Sequence, residues 1–164
     1  MTATIIVETG AIVTGANSYV SVADLTTYGT DRGITISGAN PEDLLIEAMD
    51  YIESLEFIGD RYTEDQALVW PRTGAVKHKH WTYDNDEIPQ NLIDGLCEVA
   101  LAIDAGNSPI ANIDRTTIKE KVGPVEVQYK DGSASSTIVK KINTKLKDLL
   151  AAGNSGVQFV VSKA

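Results

Sequence analysis

Cysteine is nearly missing from this sequence, which has a single thiol, Cys97, in 164 residues. One cysteine excludes an internal disulfide and fits a reducing compartment. Long apolar runs are missing too, since none approaches the roughly 20 residues that a bilayer-spanning helix needs. The opening MTATIIVETG has no basic stretch ahead of its short apolar run and carries Glu8, so a secretory leader is not expected. Histidine is confined to His78 and His80, and aromatic residues make up only 6% of the chain. That is sparse for a protein that would stack many bases.

What is present belongs to an ordinary globular chain, with 43% hydrophobic and 23% charged residues. The length suits one domain with a real core. The net charge of −9 hides a division. Residues 1–114 carry 5 Lys/Arg against 19 Asp/Glu, a net of −14, whereas residues 115–164 carry 9 against 4, a net of +5. A solvated surface with uneven charge accounts for this, and so does a chain whose basic end meets the acidic body of another copy.

Periodicity predicts four helices. Ser21 caps a first helix over 22–32, and Asn40-Pro41 with Glu42 and Asp43 opens a second over 41–57. In the second, Leu45, Ala48, Met49, Ile52 and Leu55 make an apolar stripe beside an acidic exterior. Pro89 opens a third helix over 89–105, apolar around so much of its circumference that it should be the most buried. A fourth is expected over 138–151, with Ile138, Ile142, Leu146, Leu149 and Leu150 on one side and Lys140, Lys141, Lys145 and Lys147 on the others. Residues 59–88 read as a long irregular loop. Three β-prone segments have no evident partner within the chain: an N-terminal arm rich in β-branched residues, a hairpin over 117–137 and a tail strand over 157–161. The expected architecture is mainly α, a small helical bundle with a β-hairpin arm and extended N- and C-terminal segments. It divides into an N-terminal arm (1–20), a helical core (21–114), the hairpin arm (115–137) and a C-terminal helix and tail (138–164).

Candidates for chemistry are few. His78 and His80 with Asp84, Asp86 and Glu87 nearby could form a weak metal site, but Lys77 and Lys79 oppose it electrostatically, and no metal is expected. Cys97 falls on the apolar side of the third helix, without the cationic setting that makes a thiolate. The Gly10–Gly15 segment lacks the lysine of a phosphate-binding loop, and no nucleophile elbow occurs. The carboxylates of the second helix are spaced like a solvated face. Neither an enzyme nor a cofactor is expected. The lysines of the fourth helix, with Tyr129 near them in sequence, leave nucleic-acid binding open.

Four segments carry a resemblance. They are Ala16-Asn17-Ser18-Tyr19-Val20-Ser21-Val22, Gln66-Ala67-Leu68-Val69-Trp70-Pro71-Arg72-Thr73-Gly74, Asp86-Glu87-Ile88-Pro89-Gln90 and the run from Lys119 to Tyr129. As a set they resemble tailed-bacteriophage head–tail connector (adaptor) proteins, a family also labelled DnaT-like single-stranded DNA-binding proteins. The resemblance covers roughly residues 5–130 and departs from the pattern at Lys77–Trp81 and Val157–Val161. It implies a small helical domain with protruding arms, forming a homo-oligomeric ring of about twelve copies. That ring would sit in the virion neck after assembly in the host cytoplasm, between portal and tail or tail-terminator proteins. DNA would pass without specific binding along a conduit lined by acidic helices, and no membrane would be involved.

Candidate contacts with neighbouring subunits or partners are Trp70, Arg72, Trp81, Val125, Val127, Tyr129, Lys140, Lys141, Lys145, Lys147 and Phe159. The alternative reading is a single-stranded DNA-binding accessory protein of replication.

Overall fold

The computed structural model describes residues 3–78, 80–107, 117–121, 126–129 and 133–151. Among these, four helices are interleaved with three two-stranded antiparallel ladders. The architecture is mixed α/β, which corrects the expectation of a mainly α bundle with one hairpin.

Helix α1 spans Val22–Thr30, and Ser21 caps it by accepting the Asp24 N–H at 3.1 Å. Helix α2 spans Pro41–Glu53, with proline in its first turn and Glu42 and Asp43 at its positive end. It stops short of residue 57 because the next residues pair elsewhere. Phe57 bridges Leu150, the Ile58 N–H donates to the Leu149 carbonyl, and the Ala151 N–H donates to that of Glu56. Helix α3, Gln90–Asp104, packs on α2 and is the most buried, as its apolar circumference predicts. Helix α4, Ser133–Leu146, starts ahead of its apolar stripe and packs on the other side of α3. Gly95 permits that approach, since a Cβ there would collide with Leu146.

The irregular region expected between α2 and α3 holds two of the ladders. Strands β1 (Asp60–Arg61) and β2 (Arg72–Thr73) pair, as do β3 (Val76–His78) and β4 (Trp81–Thr82). Elements of two or three residues are too short to show an alternating apolar pattern, so side-chain anchors hold them. Trp70 is fully buried and meets Phe57 and Tyr83 edge-on at 6.2 and 5.5 Å between ring centroids. Arg72 donates to the carbonyls of Ile58 (2.7 Å), Val69, Phe57 and Gly59, tying the segment to the end of α2.

The N-terminal segment, expected as an arm, is folded against the body. Val7 bridges Ser18, and Ala16, Tyr19 and Val20 enter the core. Glu8 is 2% exposed, and its carboxylate accepts the N–H groups of Gly10, Ile12 and Val13 at 2.8, 3.1 and 2.8 Å. A buried carboxylate is tolerable only with such donors. Asp104 clamps the link between α1 and α2 in the same way, accepting the N–H groups of Ser37, Gly38 and Ala39. The predicted hairpin is present as β5 (Thr117–Lys121) paired with β6 (Glu126–Tyr129). The predicted strand over 157–161 lies outside the described residues.

Candidate functional site

The sequence-predicted contact residues separate into buried and exposed groups. Trp70 lies in the core and Arg72 is spent on backbone carbonyls, so neither presents itself to a partner. Burial holds the Arg72 pKa below its usual value, with Asp60 opposing that effect. Behind Trp70, the Tyr19 hydroxyl donates to Glu53 at 2.7 Å and accepts the Trp70 N–H at 3.0 Å. Glu53 also accepts the Val69 N–H at 2.8 Å. Burial raises the pKa of both Tyr19 and Glu53. This chain of bonds clamps the Trp70 segment onto α2. Tyr19 also borders a cavity of about 330 Å³, lined further by Asp24, Tyr28, Gln90 and Cys97.

Trp81 differs sharply, being 72% exposed on β4. Val127 and Tyr129 lie on β6, while Val125 and Phe159 fall outside the described residues. Among the lysines, Lys140, Lys141 and Lys147 are exposed, and Lys145 is half-buried against Asp94 at 2.6 Å. Burial alone would raise the Asp94 pKa, but hydrogen bonds from Lys145 and Gln90 hold it below the usual carboxylate value.

The structure adds a residue to this lysine face. A groove of about 450 Å³ is lined by Arg32, Glu98, Lys140, Lys141, Thr144 and Lys145. Arg32 comes from just beyond α1. Its guanidinium carbon lies 3.3 Å from the Tyr28 ring centroid, its Nη1 donates to the Tyr28 carbonyl, and its Nε is 3.8 Å from Glu98. The Tyr28 hydroxyl donates to the same Glu98 carboxylate at 3.0 Å, and burial raises the Tyr28 pKa. Four cations from opposite ends of the chain therefore converge on a groove containing one carboxylate. Lys140 and Lys141 form no ion pair among the described residues. Such a surface can hold an extended polyanion by point charges and an aromatic-backed guanidinium.

Sequence reasoning missed Arg32. Its one available signal was the four-residue spacing from Tyr28 at the end of a predicted helix. Among the described residues, no group of three or more His, Cys, Asp or Glu side chains stands ready to hold a metal ion. His80 is exposed, and burial pushes the Cys97 thiol up to about 12, which keeps it protonated. No helix among the described residues is long and apolar enough to cross a membrane.

Fold and groove together define a small mixed α/β protein with a cationic face on an acidic body. A family model described as "Putative DnaT-like ssDNA binding protein" matches residues 3–164, and the chain belongs to that family. No curated protein and no solved structure matches the chain.

The family match corrects the expected function and partners. It supports the DnaT-like half of the resemblance and nothing in it supports a structural virion connector, a ring, or portal and tail partners. The reason lies in what the matched segments do. Ala16–Val22 packs in and beside the core, Gln66–Gly74 wraps around Trp70, and the Asp86 carbonyl faces Gly10, where a Cβ would collide with it. Segments of this kind identify a scaffold and carry no information about its partners. On α2, expected to present an acidic exterior to a conduit, Glu53 instead turns inward to the Tyr19 hydroxyl and the Val69 N–H.

Proposed function

We propose that the protein binds single-stranded DNA, with the phosphates lying along the groove formed by Arg32, Lys140, Lys141 and Lys145. It acts as a binding protein with no chemistry of its own. The observation that carries this reading is the convergence of four cations on one groove in a chain of net charge −9. Membership of a family described by single-stranded DNA binding gives it independent support. The acidic remainder repels phosphate and so confines the strand to this face. Binding of this kind depends steeply on salt, because each phosphate neutralised releases counterions. With three or four contacts, the log–log slope for a single strand should be about −2 to −3.

The test is fluorescence anisotropy with a labelled oligothymidylate over a salt series. The double variant Lys140→Glu, Lys141→Glu should bind at least about ten-fold more weakly, and its salt slope should be shallower. Its melting temperature should stay near that of the parent, since both lysines are exposed. Absence of binding at low salt would overturn the proposal, as would equal affinity in the double variant.

A further inference from the structure

The hairpin of β3 and β4 lies outside the groove and exposes the largest apolar side chain on the described surface. Trp81 is 72% exposed and Val76 is 52% exposed. An indole left in water forgoes the stabilisation that burial of a large apolar side chain contributes. Nothing in the fold compensates for this, because Trp81 does not contribute to the core.

The root of the hairpin is firmly held. Tyr83 is buried against Trp70, its N–H donates to the Ala75 carbonyl at 2.9 Å, and Lys77 lies 5.0 Å from its ring centroid while pairing with Glu87 at 2.6 Å. A buried root with an exposed aromatic beyond it presents a contact element. Its surroundings indicate the occupant. The run Lys77-His78-Lys79-His80-Trp81 is the only cationic run within the strongly acidic first 114 residues, and it contains no carboxylate of its own, although Glu87 matches Lys77. An apolar protein segment would gain little from those charges, whereas a nucleotide offers both a π-face and a phosphate.

The hairpin also lies close to the end of the lysine helix. Tyr83 packs on Trp70, Trp70 on Phe57, and Phe57 bridges Leu150 just beyond α4, three residues after the exposed Lys147.

The geometry points to Trp81 as a base-stacking platform, on which a base of the bound single strand lies while its phosphates continue along the lysines of α4. This rests on the reading of the groove as a single-stranded DNA site, and it assigns the base contact to a different element.

Trp70 is buried, so a change in indole fluorescence on adding DNA reports on Trp81. Oligothymidylate should quench the parent protein and leave Trp81→Ala nearly unaffected. Trp81→Ala should lose roughly 5- to 100-fold in affinity, and Trp81→Phe should recover part of it. An abasic oligonucleotide, which offers phosphates without bases, should bind the parent and Trp81→Ala equally. Tight binding with no quenching and no loss in Trp81→Ala would overturn the stacking role and leave the groove reading standing. Absence of binding to any oligonucleotide would overturn both. A fluorescence change that follows protein concentration without DNA, and disappears in Trp81→Ala, would overturn it in favour of a contact between copies.

Discussion

From Gln66 to Ala75 the side-chain amide and the guanidinium are consumed by the fold, and the Trp70 indole N–H is buried with no hydrogen-bond partner among the described residues. Gln66 accepts the Thr63 N–H and donates to the carbonyls of Leu68 and Pro71, and Arg72 donates to four carbonyls. Trp70 is enclosed between Phe57 and Tyr83. In the hairpin that follows directly, Val76, Lys77, His80 and Trp81 all face solvent. Both stretches combine an indole with cations and look alike as composition. One closes the molecule and the other is open to a partner. The property that separates them is burial: Trp70 is enclosed and Arg72 is spent on four carbonyls, whereas Trp81 and Lys77 remain at the surface even though Lys77 pairs with Glu87.

Substitution of the two tryptophans should break that comparison most visibly. Trp70→Ala empties a fully buried site and should cost about 3–5 kcal/mol, enough to unfold a marginally stable domain. Trp81→Ala should stay within about 0.5 kcal/mol of the parent. Denaturant titration measures both. A similar cost at the two positions would show that the hairpin is part of the core.

Arg72→Met should come next, at about 2–3 kcal/mol, because it leaves several half-buried carbonyls without donors. Arg72→Lys should recover only part of the loss, since one ammonium cannot reproduce the spread of the guanidinium donors. Arg32→Met should cost less than about 1 kcal/mol, as its partners Tyr28 and Glu98 lie nearer the surface. Thermal melts of the two methionine variants compare an arginine that holds four carbonyls with one that holds a single carbonyl and a 3.8 Å ion pair. Equal destabilisation would remove the distinction.

The same distinction explains what was legible in the sequence. Helices α2 and α3 announce themselves through their apolar residues: α2 turns one stripe mainly towards α3, and α3, packed by both α2 and α4, is apolar around much of its circumference. The beginning of α4 does not, since Ser133–Thr137 has no apolar stripe. The short ladders were invisible because their stability comes from Trp70 and Arg72, which make contacts distant in sequence. Glu8 looked like any acidic residue, and only the folded loop brings three N–H groups onto it. For the groove, the lysines were legible and their convergence with Arg32 was not. That meeting depends on the packing of both flanking elements on α3, which no local pattern encodes.

The smallest expected effect concerns the one groove lysine that the fold already claims. Lys145 pairs with Asp94 at 2.6 Å, the two side chains being 33% and 15% exposed. The folded-state pKa of Asp94 is depressed, so its contribution is present above the unfolded aspartate pKa of about 3.9 and lost as pH falls through the folded value. Solvent screening limits that contribution to about 0.5–1 kcal/mol. Melts of the parent and Asp94→Asn should therefore differ by a small amount near pH 7, and the gap should close below about pH 4. Lys145→Met should raise the Asp94 pKa, which a carboxyl NMR titration reads directly. Because the Lys145 charge is already matched, its loss should weaken oligothymidylate binding less than the loss of Lys140 or Lys141. If Lys145→Met proves the most damaging of the three, the ion pair opens to receive phosphate, and a cation held by the fold is still available to DNA.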